Sequence, residues 1–343
     1  MTKDITKSSL LEQAIKYSVI VCPICKGGLS LEKARWHKRF VQRGILRCRS
    51  CGIQFKIYAR IPVLLPPGQY ADWTHPFVEA LFGNIRMSYD DIVKKYGIEK
   101  VRELYFKLIE GKYEPPRLYF KEPVDRRLLA EGSRRITKRA IEEHLKRIKE
   151  QTKGKRDFRK MIEVTIEILP KKILDMCSGG GFFLARLLER YRDFNQFFSF
   201  DIDYHCAKRV EGTLKHYKLL NKALPMVADA RTMPFRSDYF DIVTNNYGFS
   251  QILGYSRALR ESFRVLRPGG KLIVRDKLQI TKLSDFELRS TIGFTVDELV
   301  QIHRYCDIYI DKEEFLDLAA KIGFSIDKVE DFGKSFVAVL SKY

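Results

Sequence analysis

The stretch from Lys172 to Phe182 constrains the fold more than any other part of the chain. It consists of an apolar run that ends in Asp175, a turn with three successive glycines, and the start of a helix. Gly179 and Gly181 can adopt the positive φ of such a turn, and without side chains they let a ligand approach the backbone closely. The pattern predicts a nucleotide-binding strand–turn–helix unit. A glycine turn alone does not identify the ligand, and NAD is one possibility.

The next segments end in acidic residues as well. The β-rich run from Phe197 to Asp201 places a carboxylate 26 residues after Asp175, where it could bind both ribose hydroxyls. A third run contains Asp229, whose carboxylate suits an adenine amino group, and Asp241 precedes the fourth strand. Asp229 and Asp241 could instead be capping residues. Asp175 stands where a dinucleotide fold would begin its glycine motif, so the order of the segments favours S-adenosylmethionine over NAD.

About 170 residues from Lys171 onward resemble class I S-adenosylmethionine-dependent methyltransferases of the quinone-biosynthesis, type 11 kind. Ala258 to Val274 resembles the helix, turn and fifth strand of that family. The resemblance implies an α/β, Rossmann-like fold with a seven-stranded, mostly parallel sheet. It assigns to cofactor binding Asp175, Cys177, Gly179, Gly181, Asp201, Ile202, Asp229 and Ala230. Asn245 is a further predicted cofactor residue. The family usually has Gly or Ala where this chain has Cys177.

The methyl acceptor is expected at the carboxyl ends of the strands, where Asn245 to Phe249 follows the fourth strand. Asn246 and Tyr247 are the candidate catalytic residues, because they could hydrogen-bond and stack an acceptor such as a flipped base. Tyr247 could instead close the cofactor pocket. Methyl transfer from a sulfonium needs an acceptor atom positioned in line and no metal.

Other residues near the acceptor give weaker indications. Asp276 and Lys277 follow the fifth strand and are further acceptor-site candidates, whereas the role of residues 278–310 cannot be read from the sequence. The proline-containing motif of amino-group methyltransferases is absent from residues 245–249, so exocyclic-amine methylation is unsupported. The remaining cysteines and histidines of the second half are interpreted as structural: Cys206, Cys306, His205 and His303.

Four of the seven cysteines form two Cys-x-x-Cys pairs, Cys22 with Cys25 and Cys48 with Cys51. Four thiolates suit a tetrahedral structural Zn²⁺, which a module of this size needs because its core is small. Two disulfides or a redox motif are the alternatives. This module resembles the zinc-ribbon activator subunit of methyltransferases and the zinc domain of rRNA guanine-N1 methyltransferases, a likeness that includes Ile61 to Pro66. That resemblance implies work on RNA or on translation factors.

Positive charge is concentrated in the first half of the chain. The net charge of +20 divides into +10 for residues 1–70, +8 for residues 71–160 and +2 for the rest. Between the cysteine pairs, cationic residues from Lys33 to Arg49 alternate with Trp36 and Phe40, a mixture suited to phosphate contacts and base stacking. In the alternative, both aromatic residues pack in the core and the charges are solvated. Nucleic acid is the favoured partner of these cations. The alternatives are an anionic membrane surface, or no partner, with the charges simply exposed to solvent.

These observations predict a zinc ribbon at 1–67, a basic helical connecting segment at 68–157 and a methyltransferase domain at 158–343. Expected helices are 10–17, a second long one at about 124–149, and 312–322, with a joint at 149–160. Without an apolar span or secretory signal, we expect a cytoplasmic protein.

The leading interpretation is an rRNA or tRNA methyltransferase whose ribbon and basic helices bind the RNA. The alternatives are a small-molecule, quinone-type methyltransferase braced by the ribbon, and a non-enzymatic scaffold that binds the cofactor without turnover. The sequence leaves open the methylated atom and the oligomeric state.

Overall fold

The structure is a computed structural model that describes residues 9–72, 74, 76–83, 89–116, 122–124, 129–130, 137–277, 295–305, 307–308 and 311–343. Its strands are β1 (Leu29–His37), β2 (Phe40–Cys48), β3 (Gln54–Tyr58), β4 (Ile61–Leu64), β5 (Lys172–Met176), β6 (Gln196–Asp201), β7 (Ala223–Ala228), β8 (Phe240–Asn246), β9 (Leu266–Lys277), β10 (Phe324–Asp331) and β11 (Ser335–Lys342). Its helices are α1 (Leu10–Lys16), α2 (Pro76–Phe82), α3 (Tyr89–Tyr96), α4 (Ile98–Ile109), α5 (Lys138–Thr152), α6 (Arg156–Glu167), α7 (Phe182–Leu188), α8 (Tyr204–His216), α9 (Tyr255–Val265), α10 (Val296–Tyr305) and α11 (Lys312–Ile322).

The described strands form one sheet in the order β1-β2-β3-β4-β7-β6-β5-β8-β9-β11-β10. From β7 to β9 all neighbours are parallel, and β11 alone inserts antiparallel between β9 and β10. Parallel strands need crossover connections, which α7, α8 and α9 provide. The predicted Rossmann-like sheet of seven mostly parallel strands is confirmed, and it continues into four further strands from the first module.

The first module begins with α1, capped by Ser9 and Glu12 in a reciprocal capping box. β1 and β2 then form an antiparallel hairpin, which we call the basic hairpin, and β3 and β4 extend it. Inward-facing residues such as Leu46 and Phe55 are buried, whereas Trp36 is 46% exposed. The alternative in which Trp36 packs in the core is therefore wrong.

The first module shares its core with the rest of the molecule. β4 pairs in parallel with β7, with Val63 opposite Val227 and Leu64 opposite Ala228. One continuous apolar cluster contains residues of the module, such as Leu46, together with residues of the large sheet, such as Phe198. The ribbon is therefore an extension of the large sheet, and removing it would expose one edge and part of the core.

The register of the sheet places the tip of the basic hairpin on the side opposite the carboxyl ends of the parallel strands. β2 runs in the same direction as β4, because each is antiparallel to β3. Phe40, at the start of β2, accordingly lines a small cavity together with Ala223, at the start of β7. The carboxyl ends of β5, β6 and β7 lie at the other edge.

The predicted helices at 10–17 and 312–322 are confirmed within one residue. The predicted long helix at about 124–149 is interrupted, because Thr137 is extended, caps α5 and accepts a bond from the Ala140 N–H. Before it, residues 129–130 are helical, and residues 125–128 and 131–136 lie outside the described residues. Residues 149–160 belong largely to α5 and α6 around a short turn at 153–155. In the part of the chain that the structure describes, no helix has the length and apolar composition needed to cross a bilayer.

Candidate cofactor and acceptor site

A cavity of about 350 Å³ opens where the carboxyl ends of β5, β6, β7 and β8 meet. This is where ligands bind in open α/β sheets, and the volume is within the usual range for a small-molecule site. The predicted residues on its wall are Cys177, Gly179, Asp201, Ile202, Asp229, Ala230, Asn246 and Tyr247. The cavity therefore brings together residues from four separate strand ends.

Backbone geometry explains the glycine turn between β5 and α7. Gly179 has φ +51, and a Cβ added there would meet no atom within 4 Å, so this glycine faces open space. Its N–H donates to Asp201 Oδ2 at 2.8 Å, which links the turn to the end of β6. Gly181, at φ +80, packs against Val210 of α8 and forms the start of α7. Cys177 also adopts a positive φ of +52, a conformation in which Gly costs less.

Two predicted cofactor residues are buried carboxylic acids. Burial raises the pKa of Asp175 to about 7, and the hydroxyl of Thr244 donates to its Oδ1 at 2.9 Å. Burial also raises the pKa of Asp201 to about 6, because the two backbone N–H groups of Gly179 and Asp203 compensate the lost hydration only in part. Asp175 lies behind the cavity wall, whereas Asp201 is part of it.

Asp229 is already engaged in a buried ion-pair network. Both of its oxygens accept bonds from Arg231, the nearest at 2.8 Å, and Gln69 donates to Oδ2 at 3.0 Å. Arg231 also donates to Glu79 of α2 at 3.0 Å. Although burial raises the pKa of Asp229, Arg231 outweighs that effect and holds it below its usual value. Asp229 also makes the capping bond considered as its alternative role, since its carboxylate accepts from the backbone N–H of Arg231.

The connecting segment supports the cavity from outside the large sheet. Thr74 and Glu79 lie on the cavity wall, and the predicted cofactor set did not include them. His144 of α5 donates its Nε2–H to the carbonyl of Gly180 at 2.6 Å, and burial lowers the pKa of this histidine. A neutral imidazole therefore fixes the glycine turn. A sequence pattern could not reveal these long-range partners. The proximity of Arg231 to Asp229 along the chain was the one local signal that Asp229 has an ion-pair partner.

Tyr247 and Asn246 are held by a buried arginine at the acceptor end. Arg275 donates to Asn246 Oδ1 at 2.8 Å and to the Tyr247 hydroxyl at 3.1 Å, and its guanidinium lies 4.0 Å from the centre of the Tyr247 ring. Asp157 of α6 pairs with Arg275 and also accepts from Ser335 at 2.6 Å. Tyr247 has φ +59, so the backbone is strained where the side chain meets the cavity.

Asn245, a predicted cofactor residue, lies near the end of β8. Its side chain is fully buried and its Oδ1 accepts from the N–H groups of Gly248 and Phe249, at 3.1 and 3.2 Å. It therefore shapes the turn that carries Tyr247 and does not line the cavity. Of the other acceptor candidates, Asp276 is buried and accepts from the Ser250 N–H at 3.2 Å. Cys206, predicted to be structural, lies on the cavity wall, whereas Cys306 is outside the described residues.

The four predicted metal ligands converge at one end of the first module. The Sγ atoms of Cys22, Cys25, Cys48 and Cys51 all lie within 4.8 Å of one another. The Cys22–Cys51 and Cys25–Cys48 sulfur pairs are 3.7 and 3.4 Å apart. Four sulfurs around Zn²⁺ at about 2.3 Å would be roughly 3.8 Å from each other, so the cluster fits such an ion. Next to it, Lys26 reaches Glu261 of α9 at 2.9 Å and connects the cluster to the large sheet.

The strand order from β7 to β10, the glycine turn and the acidic strand ends around one cavity define the Rossmann-like fold of S-adenosylmethionine-dependent methyltransferases. Residues 150–292 match the family model described as the ubiE/COQ5 methyltransferase family. The first module lies outside this match.

Several known proteins are similar to the chain. The ubiquinone/menaquinone biosynthesis C-methyltransferase UbiE of Proteus mirabilis is 25% identical over 166 residues, which is 45% of this chain and 66% of that protein. The UbiE protein of Edwardsiella ictaluri is 26% identical over 185 residues, 50% of this chain and 74% of that protein. Among solved structures, a SAM-dependent methyltransferase from Aquifex aeolicus has a TM-score of 0.44 at 16% identity, covering 58% of this chain and 98% of its own.

Proposed function

We propose that the chain is an S-adenosylmethionine-dependent methyltransferase that acts on a small, ring-containing acceptor of the quinone-precursor type. The observation that supports it best is the cavity at the carboxyl ends of the strands, whose glycine turn faces open space while Asp201 lies on its wall. The match to the ubiE/COQ5 family over residues 150–292 supports the same reaction.

The chain's own residues fit the cofactor. Asp201 presents a buried carboxylate that two ribose hydroxyls can approach, and Gly179 leaves the backbone open beside it. Asp175 Oδ2 and Asn245 Nδ2 are buried atoms without a hydrogen-bond partner among the described residues, close behind the cavity wall. When bound, S-adenosylmethionine supplies an electrophilic methyl group on a sulfonium. The protein has to hold the acceptor in line and exclude water.

The cavity suits a small apolar ring better than an extended polyanion. Ile252 and Leu253 lie on the cavity wall together with Tyr247, whose ring is held by Arg275. The basic hairpin, the region expected to bind RNA, has its tip at the opposite edge of the sheet. An RNA bound there would have to extend around the molecule to place a base in the cavity. This geometry therefore supports the small-molecule alternative and not the leading RNA interpretation.

Labelled S-adenosylmethionine, offered with either a lipid extract rich in quinone precursors or total RNA, tests the acceptor. We expect label in the lipid fraction and none in RNA. A matched variant, Arg35→Glu with Arg39→Glu, reverses charge on the basic hairpin and should leave lipid labelling unchanged. Label confined to RNA, and lost in this variant, would overturn the proposal.

RNA methylation is the second candidate, and one specific observation favours it. Trp36 is exposed, and the exposed cations Arg35, Lys38, Arg39 and Arg43 have no carboxylate within ion-pair distance among the described residues. Such a surface offers stacking and phosphate contacts. It would serve as a docking surface remote from the cavity, which the charge-reversed variant tests directly.

Tyr247 should act on the acceptor and not on the cofactor. We expect Tyr247→Ala to lower kcat/KM for the acceptor by about 10- to 100-fold, because it removes the ring that positions it, with cofactor affinity changed less than about threefold. Tyr247→Phe keeps the ring and serves as the control, with most of the turnover retained. Equal losses in acceptor and cofactor binding would show that Tyr247 closes the cofactor pocket.

We also propose that the four cysteines hold a structural Zn²⁺. The sulfur separations fit a tetrahedral site. The four thiolates would fill all four positions of the ion, whereas a catalytic zinc keeps one position open for water or substrate. The ion would fix the turns that hold Lys26 against α9 and would stabilise the edge of the large sheet.

A further inference from the structure

A second cavity, of about 270 Å³, lies on the outer face of the large sheet between α6 and α7. Its wall carries five cationic side chains and no carboxylate: Lys153, Lys155, Arg159, Arg186 and Arg190. Phe158 and Ile162, both buried, form an apolar floor. We call this the basic cleft, and it shares no lining residue with the cofactor cavity.

Charge in the basic cleft is only partly compensated. Arg186 and Arg190 each have a carboxylate nearby, Glu189 and Glu163 respectively, the latter at 3.8 Å. Lys153, Lys155 and Arg159 have no ion-pair partner in the ranges that the structure describes, although all three surround one concave surface. Cations held together in this way repel each other unless an anion lies between them.

Backbone geometry adds to this positive potential. Gly154, at φ +76, turns the chain so that Lys153 and Lys155 lie on the same wall, and a Cβ there would meet nothing within 4 Å. The 12-residue helix α6 begins directly afterwards; the side chain of its N-cap residue Lys155 makes no capping bond, and within the first turn Asp157 Oδ1 accepts from the Phe158 N–H at 2.8 Å. The remaining N–H groups of the first turn favour negative charge.

We propose that the basic cleft binds the phosphate or diphosphate group of a small organic ligand. The cationic wall would bind the phosphate oxygens, and the floor of Phe158 and Ile162 would contact the organic part. Arg, with its planar fork, suits phosphate oxygens particularly well. The proposal goes beyond methyl transfer and does not depend on which acceptor is methylated.

A single layer of side chains separates the cleft from the acceptor end. Arg275 lies 5.4 Å from the centre of the Phe158 ring and 4.0 Å from that of Tyr247. Asp157, next to Phe158, pairs with the same arginine. A ligand in the cleft would therefore contact one side of the layer whose other side lines the acceptor end of the cofactor cavity.

Titration of the whole chain with inorganic pyrophosphate at low salt tests the site without any turnover. We expect saturable binding, weakened about tenfold or more in Lys155→Gln with Arg159→Gln, because two charge-assisted contacts are lost. The matched control, Lys146→Gln with Lys149→Gln on α5, removes the same charge outside the cleft and should bind as the unaltered chain does. Both variants change exposed side chains, and circular dichroism verifies that they fold.

Displacement then identifies the source of the phosphate. Competition by vesicles containing phosphatidic acid would assign the site to a lipid headgroup, and competition only by a soluble nucleoside diphosphate would assign it to a free ligand; either supports the proposal. Absence of saturable binding, or equal affinities in the cleft variant and the control, would overturn it. Cofactor binding, measured separately, reports on the methyltransferase proposal and is expected to be unaffected.

Discussion

Removing the metal ligands Cys48 and Cys51 should unfold the chain as a whole and not only its first module. We expect Cys48→Ser with Cys51→Ser, or treatment with a strong chelator, to abolish the native structure at 37 °C. A structural Zn²⁺ contributes about 10–16 kcal/mol to folding in small zinc peptides, whereas entire domains are stable by about 5–15 kcal/mol. The loss spreads because Leu46 of the ribbon and Phe198 of the large sheet belong to one apolar cluster.

Calorimetry would follow unfolding of the whole chain, and hydrogen exchange at the amides of β5, β6 and β8 would follow the large sheet separately from the ribbon. We expect a single transition, shifted for both parts together. Cys206→Ser makes the same chemical change outside the cluster and should shift the transition only slightly. If instead the ribbon melts alone and the large sheet keeps its exchange protection, the shared core does not couple them and the ribbon is dispensable for stability.

The sequence predicted best those features that local chemistry determines. The glycine turn could be recognised because positive φ and close backbone approach require Gly179 and Gly181 within a few residues of Asp175. The cysteine cluster could be recognised because each Cys-x-x-Cys pair is a local turn. Both features depend on spacing along the chain, so a single sequence reveals them.

Features that depend on contacts between distant elements were missed. The pairing of β4 with β7 rests on two residue pairs about 160 positions apart, and neither strand carries a signal for the other. Glu79 reaches Arg231, and His144 reaches the carbonyl of Gly180, only because the connecting helices fold back over the cavity. The cofactor prediction for Asn245 did not include the bonds that its Oδ1 accepts from the turn after Tyr247.

The sequence located the excess positive charge in the first 160 residues, but it could not place that charge on the folded surface. The excess positive charge of the first 160 residues suggested a cationic surface for a polyanionic partner such as RNA. Within the described residues, cations of this half contribute to two separate surfaces: the basic hairpin, with its tip at the amino-terminal edge of the sheet, and the basic cleft beside α6, which Arg186 and Arg190 complete. Two separate cationic surfaces fit two separate anionic contacts better than one RNA substrate, and each can be altered without touching the cofactor cavity.

Cofactor affinity should depend on pH through Asp201. Burial raises the pKa of Asp201 to about 6 in the cofactor-free chain, whereas hydrogen bonds from ribose hydroxyls favour its ionised form. Binding therefore lowers this pKa and releases a proton when the pH is below about 6. We expect affinity to be constant above about pH 7 and to fall by up to about tenfold per pH unit below pH 6.

Calorimetric titration of S-adenosylmethionine between about pH 5.5 and 8 measures this directly, together with the proton released. Asp201→Asn should bind more weakly at pH 8 and lose most of the pH dependence, because its amide does not titrate. Asp175 is the necessary control, since burial raises its pKa to about 7 and it lies behind the same wall. If Asp175→Asn removes the pH dependence while Asp201→Asn retains it, the carboxylate that responds to the cofactor is the one behind the glycine turn, and Asp201 does not bind the ribose.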